Sequence, residues 1–455
     1  MTTDRMPPSL LGLGRDILVM HILPQMDAKD ISSLMQTCRE LAKDPAVRHA
    51  IYNAIYNAMF PPPEAMPPIP QVGWEERWND RCSSRIYAWG KASYGRIGAA
   101  LSDVDQDHRC RRGVNRPWPV QAFSDVVVRD IGCGEYFTAV LSTDGEILLV
   151  GDFDVHLRGV SPPMRLKASN AKFTAMSCCK SYLLGRDSAD NIYMWHKKQE
   201  PDGVFLDFGG LKVQRMVADS SLLAVITDEG GVAIWDPPRA WWSGRIRATG
   251  TCEVNYLVVP HTGGGGKGAG DWGIGRVVDM AVGASRIAMI TQNGELFTTE
   301  YDYVREIVSA PEYCADIHAA VNGERITKVY ILFGRLVAVT ANGHVVQAQY
   351  GMQLTEVELL DLDDVVQVAL GHVHCLALTT NGSIYAWGTD DKDCGSFGMD
   401  TAQISAAGGE RTSEMFRVGT RLAKPTRVHA PPMYRIAAGA YHSVAVGKRE
   451  CERQD

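Results

Sequence analysis

The sequence has no apolar run approaching the roughly 18 residues that a bilayer-spanning helix needs. Its start, MTTDRMPPSLLGLGRD, lacks the basic opening, long apolar centre and small-residue cleavage site of a secretory signal. There is no basic surplus: the formal net charge of −7 argues against a dedicated nucleic-acid binder. No C-x-x-C pair occurs among the eleven scattered cysteines, and the adjacent Cys178-Cys179 is a poor start for a disulfide framework, so none is expected. Reduced thiols and a cytoplasmic or nuclear location fit this pattern. No local Ser/His/Asp or Cys/His arrangement can be assembled, and no enzyme activity or cofactor is expected. HTGGGGKGAGDWG (261–273) is not a phosphate-binding loop, because Gly268 stands where the Ser or Thr after Lys267 would bind magnesium.

What is present is a repeat. Hydrophobic residues make up 45% of the 455 residues and charged residues 22%, enough apolar material for a large core. The stretch GHVHCLALTTNGSIYAWG (371–388) is echoed by GCGEYFTAVLSTDGEILLVGD (132–152) and GAYHSVAV (439–446). Weaker copies begin at Ser181, Ser221, Ser285 and Gly334. Each reads as strand, short polar turn, strand. Asp144-Gly145, Asn293-Gly294, Asn342-Gly343 and Asn381-Gly382 predict two-residue type I′ hairpins. A further strand precedes each hairpin, and the units recur roughly every 40 to 65 residues, the period of propeller blades. Six hairpins are complete, around 145, 191, 230, 294, 343 and 382. A seventh is split: Ile86–Gly98 is a second half and Met433–Val446 a first half. Joining them would close a ring without free sheet edges.

These residues resemble the regulator-of-chromosome-condensation propellers. Gly371, His374, Trp387, Gly388, Gly395 and Gly398 fall on that family's blade pattern, Gly439 and His442 repeat it, and so do Trp89, Gly90, Gly95 and Gly98. Phe137 stands where a signature histidine would be. The six complete hairpins and the split one count seven blades, and the resemblance likewise implies a mainly β fold, a seven-bladed β-propeller over 85–447; a polar tail follows at 448–455. His372, His374 and Cys375 could suggest a metal site. Adjacent strand residues face opposite ways, however, and His442 recurs alone at the same repeat position. They are read as structural, and no metal is expected.

Residues 1–60 do not repeat and carry helical periodicity, with Pro45 suited to the first turn of one helix. From Ile22 to Arg39 the segment resembles an F-box without a gap. That resemblance implies a small all-α module that docks on an Skp-type adaptor through Leu13, Ile17, Leu18, Ile22, Leu23, Ile31, Leu34 and Cys38. A Pro-rich linker is expected over 61–84, with Trp74 and Trp78 one helical turn apart and able to pin it to the propeller.

Two insertions interrupt the repeat. The first, Asp236–Gly250, holds Arg239, Trp241, Trp242, Arg245 and Arg247, residue types enriched at interface hot spots, and is the candidate contact for a bound protein. The second, Ala402–Arg421, is rich in small residues and reads as a mobile loop. The combined expectation is a non-catalytic substrate receptor that an Skp-type adaptor joins to a cullin–RING ligase. The alternatives are a propeller-type guanine-nucleotide exchange factor and a plain scaffold.

Overall fold

The computed structural model describes residues 45–60, 73–104, 106–110, 113–153, 162–168, 171–196, 202–219, 222–236, 251–254, 256–259, 273–350, 354–414 and 417–449. Among them the strands form seven separate sheets of four or five strands, the blades of a seven-bladed propeller. Blade 1 joins the two ends of the fold: Met433–Ala438 and His442–Gly447 supply its inner strands, and Arg85–Lys91 and Gly113–Pro119 the outer ones. Arg85 to Gly90 pair antiparallel with Gly447 to His442, residue by residue. The inner strands of blades 2 to 7 begin at Val128, Phe173, Val213, Val277, Ile326 and Val365.

The alternation expected of half-buried strands is missing from the second strand of each blade. Phe137–Ser142, Leu223–Thr227 and His374–Thr379 are buried throughout, because a blade packs against neighbours on both faces. This is why those strands read as unbroken apolar runs. The hairpin turns differ from the two-residue type I′ form. In blade 2 the Gly145 N–H donates to the Ser142 carbonyl at 3.1 Å and the Ser142 N–H donates to the Glu146 carbonyl at 2.8 Å. That pattern encloses three residues, and only the last, Gly145, has positive φ, at 75°. It is a type I turn closed by a left-handed glycine. Thr291–Glu295, Thr340–His344 and Thr379–Ser383 repeat it with Gly294, Gly343 and Gly382.

The glycine has a second task. Its carbonyl accepts the first inner-strand N–H of the next blade, as in Phe173 to Gly145 at 2.8 Å and Val365 to Gly343 at 3.0 Å. A Cβ on Gly343 would lie 2.6 Å from the Val365 nitrogen. The turn is therefore a stitch between blades.

Helix α1 (Pro45–Met59) begins at Pro45 as expected. Helix α2 (Trp74–Cys82) lies inside the segment expected to be linker. Trp74 and Trp78 do not pin it to the propeller: they pack on Tyr56 and Phe60, at the end of α1. The pin is Arg81, fully buried, 4.1 Å from the Phe60 ring and 5.4 Å from the ring of Tyr434 in blade 1. Lys448 adds a 2.8 Å ion pair to Asp80. Helix α3 (Ala315–Ala320) covers the outside of blades 5 and 6. No described helix is long and apolar enough to cross a membrane.

The second insertion is ordered into elements. Asp400 caps helix α4 (Thr401–Ala406) in a reciprocal capping box with Gln403, and Glu410–Glu414 pairs with the long strand Arg417–Val428. The small residues misled the sequence reading, because a capping box and a two-stranded extension need little apolar content of their own.

Candidate interaction face

Within each blade the first strand runs outward to one face, called upper here, and turns there into the second strand. The signature Gly-x-x-His motifs sit at this turn. The imidazole of His374 lies so close over Gly371 that an added Cβ would meet its Cε1 at 2.2 Å, and His442 covers Gly439 in the same way. In blade 2 the Phe137 ring takes that place over Gly134, 2.0 Å from a notional Cβ. The ring fills a slot, and its chemistry is secondary to its shape.

The histidines are also fastened to the next blade. His374 Nε2 is 2.9 Å from the Ser443 hydroxyl, and His442 Nε2 is 3.2 Å from that of Thr138. Burial pushes His374 down to about 3 and His442 well below the usual histidine range. Cys375 points the other way, against Arg335, and His372 packs between Phe333 and Tyr441. Among the described residues no three His, Cys, Asp or Glu side chains are grouped to hold a metal.

Below the upper face every inner strand carries a β-bulge at its second residue, between Val128 and Asp130, Phe173 and Ala175, Val213 and Arg215, and so on round the ring. The residue after the bulge links neighbouring blades across the central channel. Arg435 pairs with Asp130 at 3.4 Å, Asp279 receives Arg215 from one side and Lys328 at 3.9 Å from the other, and Gln367 makes two hydrogen bonds with Ile436. Burial raises the Asp279 carboxyl, while Arg215 and Lys328 pull it back. Ala175 breaks the polar belt in blade 3. The channel opens above the belt into a cavity of about 240 Å³, lined among others by Cys133, Glu135, Lys180, Asp219 and Phe333. Burial pushes the Cys133 thiol up to about 12 and the Cys178 thiol well above the usual thiol range, so both stay protonated and pack as small apolar groups.

The predicted adaptor-binding residues, Leu13 to Cys38, lie outside the described residues, and so do Arg239, Trp241, Trp242, Arg245 and Arg247 and the glycine-rich 261–272. The flanks of the first insertion are described. The chain leaves blade 4 at Trp235, at the upper end of its third strand, and returns as Thr251–Glu253, a parallel fifth strand on blade 3. The second insertion also leaves from the upper end of a third strand, after Asp391 in blade 7. The described flanks of both therefore stand at the upper face.

That face also carries a feature the sequence reading missed. Phe333, His372 and Tyr441 form an edge-to-face series across blades 6, 7 and 1, with centroids 4.4 and 5.4 Å apart. Lys91 lies 4.9 Å over Tyr441, and the Arg96 guanidinium lies 5.0 Å from Tyr136 in blade 2. The signal was available: each of Phe333, His372 and Tyr441 is a turn residue between the first and second strands of its repeat.

Two segments, 83–141 and 365–395, match the family model for the regulator of chromosome condensation (RCC1) repeat. These are the blades in which the sequence signature is strongest. The chain is 24% identical to yeast (Saccharomyces cerevisiae) SCF-associated factor 1 over 304 residues, 61% of this chain and 42% of that protein. It is 24% identical to the human E3 ubiquitin-protein ligase HERC2 over 390 residues, 79% of this chain but 6% of that one. The chain thus spans less than half the length of these relatives. Among solved structures, human WBSCR16 is similar with a TM-score of 0.59 at 16% identity, covering 81% of this chain and all of that one. Prp20p from Saccharomyces cerevisiae has a TM-score of 0.58 at 14% identity, covering 84% of this chain and 96% of that one. The common ground is a seven-bladed propeller with RCC1-type repeats.

Proposed function

We propose that this protein is the substrate-recognition subunit of an Skp–cullin–F-box ubiquitin ligase, with the propeller holding the target. The observation that carries the reading is the gap-free F-box-like spacing from Ile22 to Arg39, in a chain that is similar to a protein named SCF-associated factor 1. The mechanism is positional. The N-terminal segment ties the chain to the adaptor, and α1 and α2, fixed to blade 1 by Arg81, hold the propeller at a set orientation. The upper face, with the Asp236–Gly250 insertion, presents a target lysine to a separate conjugating enzyme. Holding the partners together raises their effective concentration.

The test is binding of the full chain to an Skp-type adaptor–cullin pair. Binding that Ile22→Asp with Leu34→Asp abolishes supports the reading. No binding by folded wild-type chain overturns it, and exchange activity on a small GTPase is then the assay to run.

A further inference from the structure

At the mouth of the central channel two cations, Arg96 and Lys91, have no carboxylate paired to them among the described residues. Arg96 is wholly buried, and its guanidinium donates to the Ser93 and Glu135 carbonyls and faces the Ser93 hydroxyl, with no carboxylate on it. Lys91, half-buried, has no carboxylate partner among the described residues and rests on the Tyr441 ring. The two acids closest to them are committed elsewhere: Glu135 pairs with Lys180 at 3.1 Å and Asp391 with Lys392 at 3.9 Å. Burial and the charge of Arg96 lower Lys91, and the nearby Cys394 and Asp391 offset this only in part. An anion brought to Lys91 would relieve that cost. A concave, partly dry mouth also focuses its field on an incoming anion.

Beside this cation lies apolar surface held out at a cost. Phe333 is 51% exposed, at the rim of the cavity, with φ of 47°, a left-handed conformation that a bulky side chain seldom adopts. Strain of this kind persists where the surroundings impose it, and it gathers at binding sites. The arc from Phe333 to Lys91 crosses three blades, which suits an extended chain better than a compact ligand.

We propose that this arc docks an extended acidic segment of the target protein, with one carboxylate on Lys91 beside Tyr441 and an apolar side chain on Phe333. The inference rests on the reading that the propeller holds the target, and it names the chemistry of what is held. A nucleic acid is the poorer occupant, since the chain's net charge of −7 repels a long polyanion while one small cationic focus suits a short acidic stretch.

The experiment is selection of a random-peptide phage library on the full chain, followed by fluorescence anisotropy with the best enriched peptide. Enriched clones should carry Asp or Glu beside an apolar residue. Lys91→Glu should weaken the peptide about tenfold or more, Lys91→Arg should stay within a few-fold of wild type, and the distant Lys212→Glu should change nothing. If Lys91→Glu does not fold, Phe333→Ser at the exposed rim serves in its place, with the same loss expected. Enrichment of basic peptides, no enrichment, or binding indifferent to these changes overturns the proposal. So does tenfold tighter binding of a phosphoserine version of the peptide, which would assign the site to phosphate. Adaptor binding is read on the same samples. Peptide binding that survives Ile22→Asp with Leu34→Asp separates failure of the ligase reading from failure of this one.

Discussion

His374 meets Ser443 as a hydrogen-bond donor across the seam between blades 7 and 1. The single Ser443 hydroxyl proton goes to the Ser396 carbonyl at 3.0 Å, so the hydroxyl can only accept from the imidazole 2.9 Å away. The same holds one blade on, where Thr138 donates to the Arg96 carbonyl at 2.7 Å and accepts from His442. Both rings are thereby fixed as neutral, with the proton on Nε2 and a bare, buried Nδ1.

Acid should loosen the ring through these two histidines. Their folded values lie below the unfolded one, His374 at about 3. Their contribution is therefore complete above the unfolded value of about 6.5 and drains away as pH falls towards the folded one. Each adds a slope of up to about 1.4 kcal/mol per pH unit in that window. Urea midpoints measured from pH 7 to 5 should fall, and His374→Gln with His442→Gln should flatten the dependence while lowering the midpoint at pH 7.

Asp279 is the keystone of the channel belt, and its removal should cost more than that of either partner. Asp279→Ala leaves Arg215 and the half-buried Lys328 facing each other without a counter-charge. A loss of about 1–3 kcal/mol is expected in chemical unfolding, the range for leaving a buried donor, here the Val329 N–H, without an acceptor, while the partly exposed cations left behind add less. Arg215→Ala still leaves Asp279 with Lys328 and should cost less.

Gly343 and Gly209 make a matched pair. Both have positive φ, 82° and 63°, but a Cβ on Gly343 strikes the neighbouring blade's backbone while one on Gly209 meets nothing within 4 Å. Gly209→Ala should cost about 1 kcal/mol in thermal unfolding, from backbone strain alone. Gly343→Ala should cost several times more, since the stitch to Val365 must also shift.

Arg81→Ala should release the helices while sparing the ring. A desolvated cation over two aromatic rings is worth about 2 kcal/mol or more. Hydrogen exchange should rise across α1 and α2, and the protection of the second strands of blades 2 to 7 should stay as it was.

The ring was readable from sequence because its repeat is enforced by contacts that recur. In blades 2, 4, 5, 6 and 7 the turn glycine takes up the next blade's N–H, and in blades 1, 2 and 7 a Gly-x-x-ring pair fills a slot, so both leave a recurring mark in the sequence. Phe137 was legible for the same reason, since the slot needs a ring of the right size. The arc at the mouth was faintly legible, because Phe333, His372 and Tyr441 share only a turn position and not a residue type, and Lys91 comes from outside those turns. Their proximity is created by closure. The belt residues after each bulge were missed too: Asp130, Arg215, Asp279 and Arg435 look like ordinary strand charges until the bulge turns them inward.

Blade 1 takes its two inner strands from the far end of the fold, and this bears on how the protein is made. A ribosome delivers Arg85–Lys91 before the other six blades and Met433–Gly447 after them, so six blades emerge while the first strand waits unpaired. Pairing across some 350 residues is among the slower steps a small fold can require. Tyr434 and Lys448, which hold α2, arrive with that same final stretch. A chain cut short by a premature stop would display a bare strand edge to the quality-control machinery and would leave its N-terminal helices undocked. Emergence of the final blade strands, closure of the ring and seating of the helices are thus a single event.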